Sequence, residues 1–226
     1  TSVGVDDLEI AWNHIYDINT QDAGRGIQLF DSGAGLLEMK NVSIHDNVIH
    51  DIHRHAITFS ALTSTGMKAY NNVIYNTGSA SASDDQSGIK FNDCDLVVEV
   101  YNNSGYNNLR GLFHFSCANT ATIRNNINQV GSGQTYYKES TSWAGSRPNS
   151  HNLFFGAGSI PSWADAGTSL NVDPQYVDPT APTRDFQLQA SSPAINAGVT
   201  VTAVTKDRVG VSRPQGSAYD MGAWEQ

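Results

Sequence analysis

The chain has 226 residues, of which 39% are hydrophobic and only 15% charged, enough apolar material for one continuous core with no division into two compact domains. Its net charge of −9, with 13 Lys and Arg against 22 Asp and Glu, leaves no basic stripe for phosphates and excludes a nucleic-acid partner. No apolar run approaches the ~20 residues of a membrane-spanning helix, which argues against membrane insertion, and no charged-then-apolar leader opens the chain.

Thr1 leads almost at once into an alternating run, Leu8-Glu-Ile10, and a stretch that recurs follows. Ile10-Ala-Trp-Asn13-His-Ile15-Tyr-Asp-Ile18 lies over Ile44-His-Asp-Asn47-Val-Ile49-His-Asp-Ile52, then over Ala69-Tyr-Asn-Asn72-Val-Ile74-Tyr-Asn-Thr77. Val100-Tyr-Asn-Asn103 and Ile123-Arg-Asn-Asn126-Ile127 repeat it more loosely. The marked residues Asn13, Asn47, Asn72, Asn103, Asn126 and Asn152 are 34, 25, 31, 23 and 26 residues apart, the period of a solenoid coil. A bare first coil would expose core and strand edges, so an upstream domain or cap of the same protein, or processing from a longer precursor, is expected.

Apolar and polar residues alternate before each asparagine, as in Val42-Ser-Ile44 and Ala121-Thr-Ile123, which predicts a strand with one buried face. A second apolar run follows at variable distance: Arg25-Gly-Ile-Gln-Leu-Phe30, His55-Ala-Ile-Thr-Phe59, Ser87-Gly-Ile-Lys-Phe91 and Arg110-Gly-Leu-Phe-His-Phe115. Each coil then carries at least two strands joined by Gly-, Asn- and Ser-rich turns, and the fold class is all-β, a parallel β-helix. Stacking at about 4.8 Å would bring equivalent asparagines within hydrogen-bond reach of one another or of neighbouring backbone, at about 1 kcal/mol each.

Cys94 follows Phe91 by three residues, and Cys117 follows His114, the residue aligned with Phe91, by three. Their separation of 23 equals that of Asn103 and Asn126, so they should stack, and both a disulfide and two packed thiols fit that placement.

After Asn152-Leu-Phe-Phe155 the coil text breaks down, giving coils over 1–160 and a C-terminal coil and cap segment of the same domain over 161–226. That segment contains Asp185-Phe-Gln-Leu-Gln-Ala-Ser-Ser-Pro-Ala-Ile-Asn-Ala-Gly198, then Asp207-Arg-Val-Gly210, Arg213-Pro214, Gly216 and Asp220-Met-Gly-Ala-Trp-Glu225. It resembles the C-terminal coils of secreted bacterial right-handed parallel β-helix proteins of the pectate-lyase-like superfamily, over about a quarter of the chain. The resemblance implies a right-handed parallel β-helix, a single-stranded solenoid with an irregular C-terminal cap. It speaks for fold and not for activity, since enzymes and non-enzymatic surface proteins share it. Abundant Asn, Ser, Thr and Gly with few Lys likewise suit an exported bacterial protein, secreted or at the cell surface.

A β-helix offers a ligand its outward columns. Three residues after each asparagine stand Tyr16, His50, Tyr75, Tyr106 and Gln129, rings that can stack on sugars or on each other. Tyr75, Tyr106 and His50, with Arg25, are the substrate-binding candidates. A second outward column is expected to read Gln28, Thr58, Lys90, Phe113, with Arg25, His55, Ser87, Arg110 beside it. Cleaving a uronic-acid polymer by β-elimination requires the carboxylate neutralised, the adjacent proton removed and the departing oxygen protonated. Arginine or calcium, lysine, and tyrosine, histidine or water perform these tasks. Lyases of the resembled superfamily use a Lys or Arg base, often with acidic residues holding calcium. Asp84-Asp-Gln-Ser-Gly-Ile-Lys90 is loosely similar to one such coil, with Ser87 where an aspartate is expected before the glycine. The chemistry and the columns together give Lys90 as base, Arg110 to pair the carboxylate and Tyr75 or His55 near the leaving oxygen, so Lys90, Arg110 and His55 are the catalytic candidates; the resemblance adds Asp84 and Asp85 as calcium ligands. An adjacent Asp pair reads equally as a solvated turn, because calcium wants six to eight oxygens.

The histidines His45, His50, His53 and His55 form the other dense polar feature, without a recognised metal-ligand spacing. Two functions are therefore expected: a secreted carbohydrate-active β-helix that binds an acidic polysaccharide and cleaves it as a lyase, or a non-catalytic surface or adhesive module that binds glycans or a protein. The first needs a local cation cluster such as Arg25, Arg54, Lys90 and Arg110 to offset the net negative charge. A glycoside hydrolase ranks third, since its carboxylates stand about 5 to 9.5 Å apart and no outward column supplies such a pair.

Overall fold

The computed structural model describes residues 5–19, 24–30, 39–60, 64–78, 86–92, 96–117, 120–140 and 143–226. Among these no helix occurs, and the strands stack into three long parallel sheets. The first sheet contains Glu9–Ala11, Ser43–His45, Met67–Tyr70, Val97–Tyr101, Thr120–Arg124 and Asn149–Ser150. The second contains His14–Ile18, Val48–Ile52, Val73–Thr77, Ser104–Tyr106, Ile127–Gln129 and Leu153–Phe155. The third contains Ile27–Phe30, Ile57–Ser60, Ile89–Phe91, Phe113–Phe115 and Tyr137–Glu139. Each coil visits the sheets in that order and pairs with the next, the right-handed parallel β-helix.

Alternation decides which residues face the axis. The first sheet sends in Ile10, Ile44, Ala69, Val100 and Ile123, which stand opposite one another in register. The third sends in Leu29, Phe59, Phe91 and Phe115, whose rings stack at 6.4 Å (Phe59–Phe91) and 5.3 Å (Phe91–Phe115). Fully burying an aromatic or branched aliphatic side chain contributes roughly 1.5–3 kcal/mol, so these columns supply much of the driving force. Two inward positions of the second sheet depart from the pattern, where Gly105 and Asn128 follow Ile74. Asn128 is satisfied inside the core: its Nδ2 donates to the Tyr136 carbonyl at 2.7 Å and its Oδ1 accepts from the Leu112 amide at 3.2 Å.

The bend between the first and second sheets carries the asparagine ladder. Nδ2 of Asn13, Asn47, Asn72, Asn103 and Asn126 each donates to Oδ1 of the next asparagine at 2.9–3.1 Å, and the same oxygen accepts the backbone amide of the donating residue. A second Nδ2 proton goes to a carbonyl of the preceding coil, as from Asn103 to Ala69 at 2.9 Å. The residue before each asparagine, Trp12, Asp46, Asn71, Asn102, Asn125 and His151, is left-handed, with φ between 51° and 57°. Short Asn and Asp side chains tolerate this conformation best.

In the third sheet the expected register slips by one residue. Lys90 pairs with Thr58 on one side and with His114 on the other, so the column reads Gln28, Thr58, Lys90, His114, Lys138, and Phe113 points into the core. The slip is absorbed at Gly111: the Arg110 amide still bonds the Gln86 carbonyl, whereas Leu112 stands one register later, its carbonyl accepting from Ile89. Gly111 has φ +71° and a Cβ there would lie 2.0 Å from the Tyr136 carbonyl oxygen, so no other residue fits. A one-residue shift moves each side chain to the opposite face of the sheet. Cys117 is disulfide-bonded, and the chain's other cysteine, Cys94, lies outside the described residues.

The C-terminal segment does two things. Leu170 pairs onto Leu153, and Trp163 sets its ring edge-on to Phe115 at 5.4 Å and Phe154 at 5.9 Å, covering the last coil. The chain then returns lengthwise along the flank as a strap. A hairpin of Tyr176–Asp178 and Asp185–Leu188 lies on the second sheet. Further along, Asn71, Asn102 and Asn125 at the left-handed bend positions donate through Nδ2 to the carbonyls of Lys206, Asp220 and Val199. The motif that carries the family resemblance is the clasp of this strap. Arg213 pairs with Glu225 at 2.8 Å, both side chains fully buried, and also donates to the carbonyls of Asp220 and Gly222. Asp207 Oδ1 accepts the amides of Val209 and Val211, and its Oδ2 accepts that of Glu225. Gly222, at φ +88°, approaches so closely that a Cβ would stand 2.7 Å from Ile127 Cδ1.

Two stability outcomes follow. Asn103→Ala strands the Asn72 amide and side chain in a buried site and is expected to cost about 2–3 kcal/mol, read as a lowered midpoint of urea unfolding. Arg213→Ala leaves Glu225 charged and uncompensated in the clasp, with an expected loss of about 3–5 kcal/mol; Glu225→Gln is expected to be milder, and equal losses in the two variants would show that the pair's charge is immaterial.

Candidate functional site

The outer face of the third sheet gathers the chemistry-bearing residues. Lys90 is central to its column, flanked by Thr58 and His114, with Lys138 beyond. His55, at the turn entering this sheet, sets Nδ1 2.9 Å from Ser87 Oγ and accepts the Ser87 amide at 3.1 Å, so this nitrogen carries the lone pair. Its ring centroid lies 5.5 Å from that of His114, which spans the Ser87 and Lys90 coil between them. Arg54 adjoins His55, and Arg110 is held beside Gln86 through its backbone amide. Arg25 belongs to the coil before, where Gly26 bonds the His55 carbonyl. The fold thus sets Lys90, His114 and Lys138 in one column, with His55 against His114 and Arg110 on the cleft beside Lys138, while Arg25 and Arg54 stand in the turns that enter this sheet. His55 and His114 are buried and Lys90 is 8% exposed. Beside this face a cleft of about 470 Å³ opens between Arg110, Lys138, Glu139, Tyr136 and Pro161.

His114 was concealed in the sequence because aligning Arg110-Gly111-Leu112 with Arg25-Gly26-Ile27 puts Phe113 outward; only the left-handed Gly111 reveals the extra residue. Lys138 follows from the same register, one coil further on. Asp84 and Asp85, the expected calcium ligands, lie outside the described residues. Among the described residues no group of three or more His, Cys, Asp or Glu is placed to hold a metal.

The aromatic column stands on a different face. Tyr16, His50, Tyr75, Tyr106 and Gln129 are in register on the outside of the second sheet, and Phe155 continues them. His50 stacks on Tyr16 at 5.2 Å and on Tyr75 at 4.4 Å, both with interplanar angles of 6°. The strap covers the middle of this row: Phe186 packs on Tyr75 at 4.9 Å and Tyr106 at 5.7 Å, and Arg184 lies 5.2 Å over the Tyr75 ring. Tyr75 is only 5% exposed, and burial pushes its phenol up to about 12. Tyr75 and Tyr106 pack the strap, whereas His14 and Tyr16 are exposed at the far end of that sheet, with His50 stacked between Tyr16 and Tyr75.

The four histidines clustered in sequence are dispersed by the coil. His45, on the first sheet, is clamped between Asp46 and Glu9 at 2.7 Å each and stacked on Tyr70 at 4.5 Å. Burial lowers its pKa, but the two carboxylates more than offset this and leave it raised. His53 lines a cleft of about 410 Å³ with Asp17, Asp51, Asn76, Asn107 and Gln134. A larger cleft, about 620 Å³, separates Trp12, Asp46 and Tyr70 from the strap loop 203–210.

No family model matches the chain, and no curated protein does. Among solved structures it superposes on the crystal structure of pectate lyase Pel9A with a TM-score of 0.53 at 13% sequence identity, covering 98% of this chain. The match spans 62% of that longer protein. Identity this low speaks for the fold alone, and the fold it shows is the right-handed parallel β-helix of pectate-lyase-like type.

Proposed function

We propose that the chain is a carbohydrate-active β-helix that binds an acidic polysaccharide along its third sheet and cleaves it by β-elimination. What supports this reading is that a protein of net charge −9 sets Lys90, His114 and Lys138 in one column, with His55 against His114, Arg110 on the adjoining cleft, and Arg25 and Arg54 in the turns that enter the same sheet. Cations on adjacent coils repeat at about 4.8 Å, close enough for two to share one sugar carboxylate, and a local positive field offsets the repulsion that the whole molecule exerts on a polyanion. The likeness of fold to a pectate lyase agrees with this substrate class.

In the reaction, Arg110 pairs the uronate carboxylate and stabilises the charge that grows on it as the adjacent carbon is deprotonated. Lys90, in its neutral form, takes the proton from C5. The C–H electron pair becomes the C4–C5 double bond, the C4–O bond breaks, and the departing oxygen takes a proton from water. His55 and His114 line the site and hold Ser87 and the neighbouring coil in place. Calcium is the cofactor that lyases of this fold imply. Asp84 and Asp85, which lie outside the described residues, are its proposed ligands, and there it would help neutralise the sugar carboxylate. Export from a bacterial cell fits the same reading, as does attachment to further coils upstream.

A non-catalytic glycan-binding module is the second reading, favoured by the burial of Lys90 at 8% exposure. Incubation with polygalacturonate, alginate and glycosaminoglycans, with and without calcium, separates the two by ultraviolet absorbance of the unsaturated product. The lyase is expected to give signal on at least one polymer, with Lys90→Ala reducing kcat by 100-fold or more and Arg110→Ala chiefly raising KM. Retained polymer binding with no absorbance from any substrate would establish the binding module instead.

A further inference from the structure

The far end of the second sheet holds a pair of imidazoles that neither reading uses. His14 and His50 come from neighbouring coils, on the same outward face, and their Nε2 atoms stand 2.7 Å apart. The other nitrogen of His50 is fixed: Nδ1 lies 2.6 Å from Asp51 Oδ2, and Asp51 Oδ1 in turn accepts from Asn76 Nδ2 at 3.0 Å. Asp51 accepts the hydrogen bond of an Nδ1–H, which keeps the proton on Nδ1 and leaves the lone pair on Nε2, toward His14. The His50 ring cannot swing away, because it is sandwiched between Tyr16 and Tyr75. His14, by contrast, is exposed, its ring tilted against Tyr16 at 4.7 Å and Arg208 near enough to act on it.

We propose that His14 and His50 form a binding site for a borderline divalent transition-metal ion such as Zn²⁺, Ni²⁺ or Cu²⁺, with Asp51 as the residue that orients His50. Imidazole nitrogens bind such ions at ~2.0–2.1 Å, which for a tetrahedral angle puts the two nitrogens roughly 3.3 Å apart, so His14 has to yield by about half an ångström. The carboxylate–imidazole–metal arrangement is the one that raises ligand basicity and pre-orients the ring. Calcium is the wrong ion here, since it selects oxygen donors. Two protein ligands leave the remaining coordination positions to water or to an oxygen of an external ligand, on a face turned away from Lys90. His45, which also has carboxylate partners, differs in this respect: both its nitrogens are occupied, by Asp46 and Glu9.

Calorimetric titration of the chelator-treated chain with Zn²⁺ and with Ni²⁺ tests the site. One ion per chain is expected. His14→Gln, which alters an exposed side chain and keeps the fold, should weaken affinity at least tenfold, Asp51→Asn about tenfold, and His45→Gln not at all. Circular dichroism of each variant separates loss of a ligand from loss of structure. Equal binding by the native chain and by the His14→Gln/His50→Gln double variant, or no saturable binding by the native chain, overturns the proposal. Neither result bears on ultraviolet product formation by Lys90, so the two ideas fail separately.

Discussion

Everything in this molecule hangs on the requirement that each coil bend at the same place and satisfy its backbone there. Left-handed backbone at a non-glycine residue costs on the order of 1–3 kcal/mol, and six successive bends incur it, from Trp12 to His151. The asparagine that follows each of them offsets the cost. Its Oδ1 takes two donors from the coil before, and its Nδ2 gives one proton to the next asparagine and one to a carbonyl, so the amide is satisfied without water. Because the ladder runs through the bend, it also holds the axial register of the first and second sheets. The third sheet, at the end of turns of variable length, has no such pin, and that is where the register shifts.

The strap exploits the same bend from outside. Asn71, Asn102 and Asn125 turn their side chains outward and donate to the carbonyls of a segment that has little regular structure of its own. Its hairpin then makes the second sheet a two-sided sheet. One outward column of that sheet changes from His14 and Val48 to Val73, Ile127 and Leu153, interrupted by Ser104, as it passes under Tyr176, Phe186, Leu188 and Met221. Parallel sheets with both faces covered read as apolar runs for this reason. The aromatic row that looks like a sugar platform in the sequence is, over Tyr75 and Tyr106, the seat of the strap.

Covering one flank leaves the chemistry to another. The third sheet carries Lys90, His114 and Lys138 in one outward column, with His55 against His114. A row of like charges one strand apart is unfavourable by itself, and exposed charges in water interact by only about 1 kcal/mol at 4 Å. Within the column Lys90 and Lys138 are kept two strands apart by His114. The His14 and His50 pair lies on the first coils of the second sheet, where strap loop 203–210 brings Arg208 near His14.

The sequence by itself determined the coil and the ladder. Six asparagines in matching text define the bend, and a two-residue alternation in Val42-Ser-Ile44 or Ala121-Thr-Ile123 names the inward face, because both are local properties repeated every turn. It also put Lys90 beside Thr58 in the outward column of the third sheet, for the same reason. Only the tertiary structure decided that His114 replaces Phe113 beside Lys90, since one extra residue at Gly111 leaves the local pattern intact while turning every later side chain over. Only it decided that Tyr75 is buried, because the covering residue, Phe186, is more than a hundred positions away and nothing near Tyr75 announces it. Periodicity reports what a residue meets within its own coil and the next, and contacts made by a chain that doubles back along the outside lie beyond its reach.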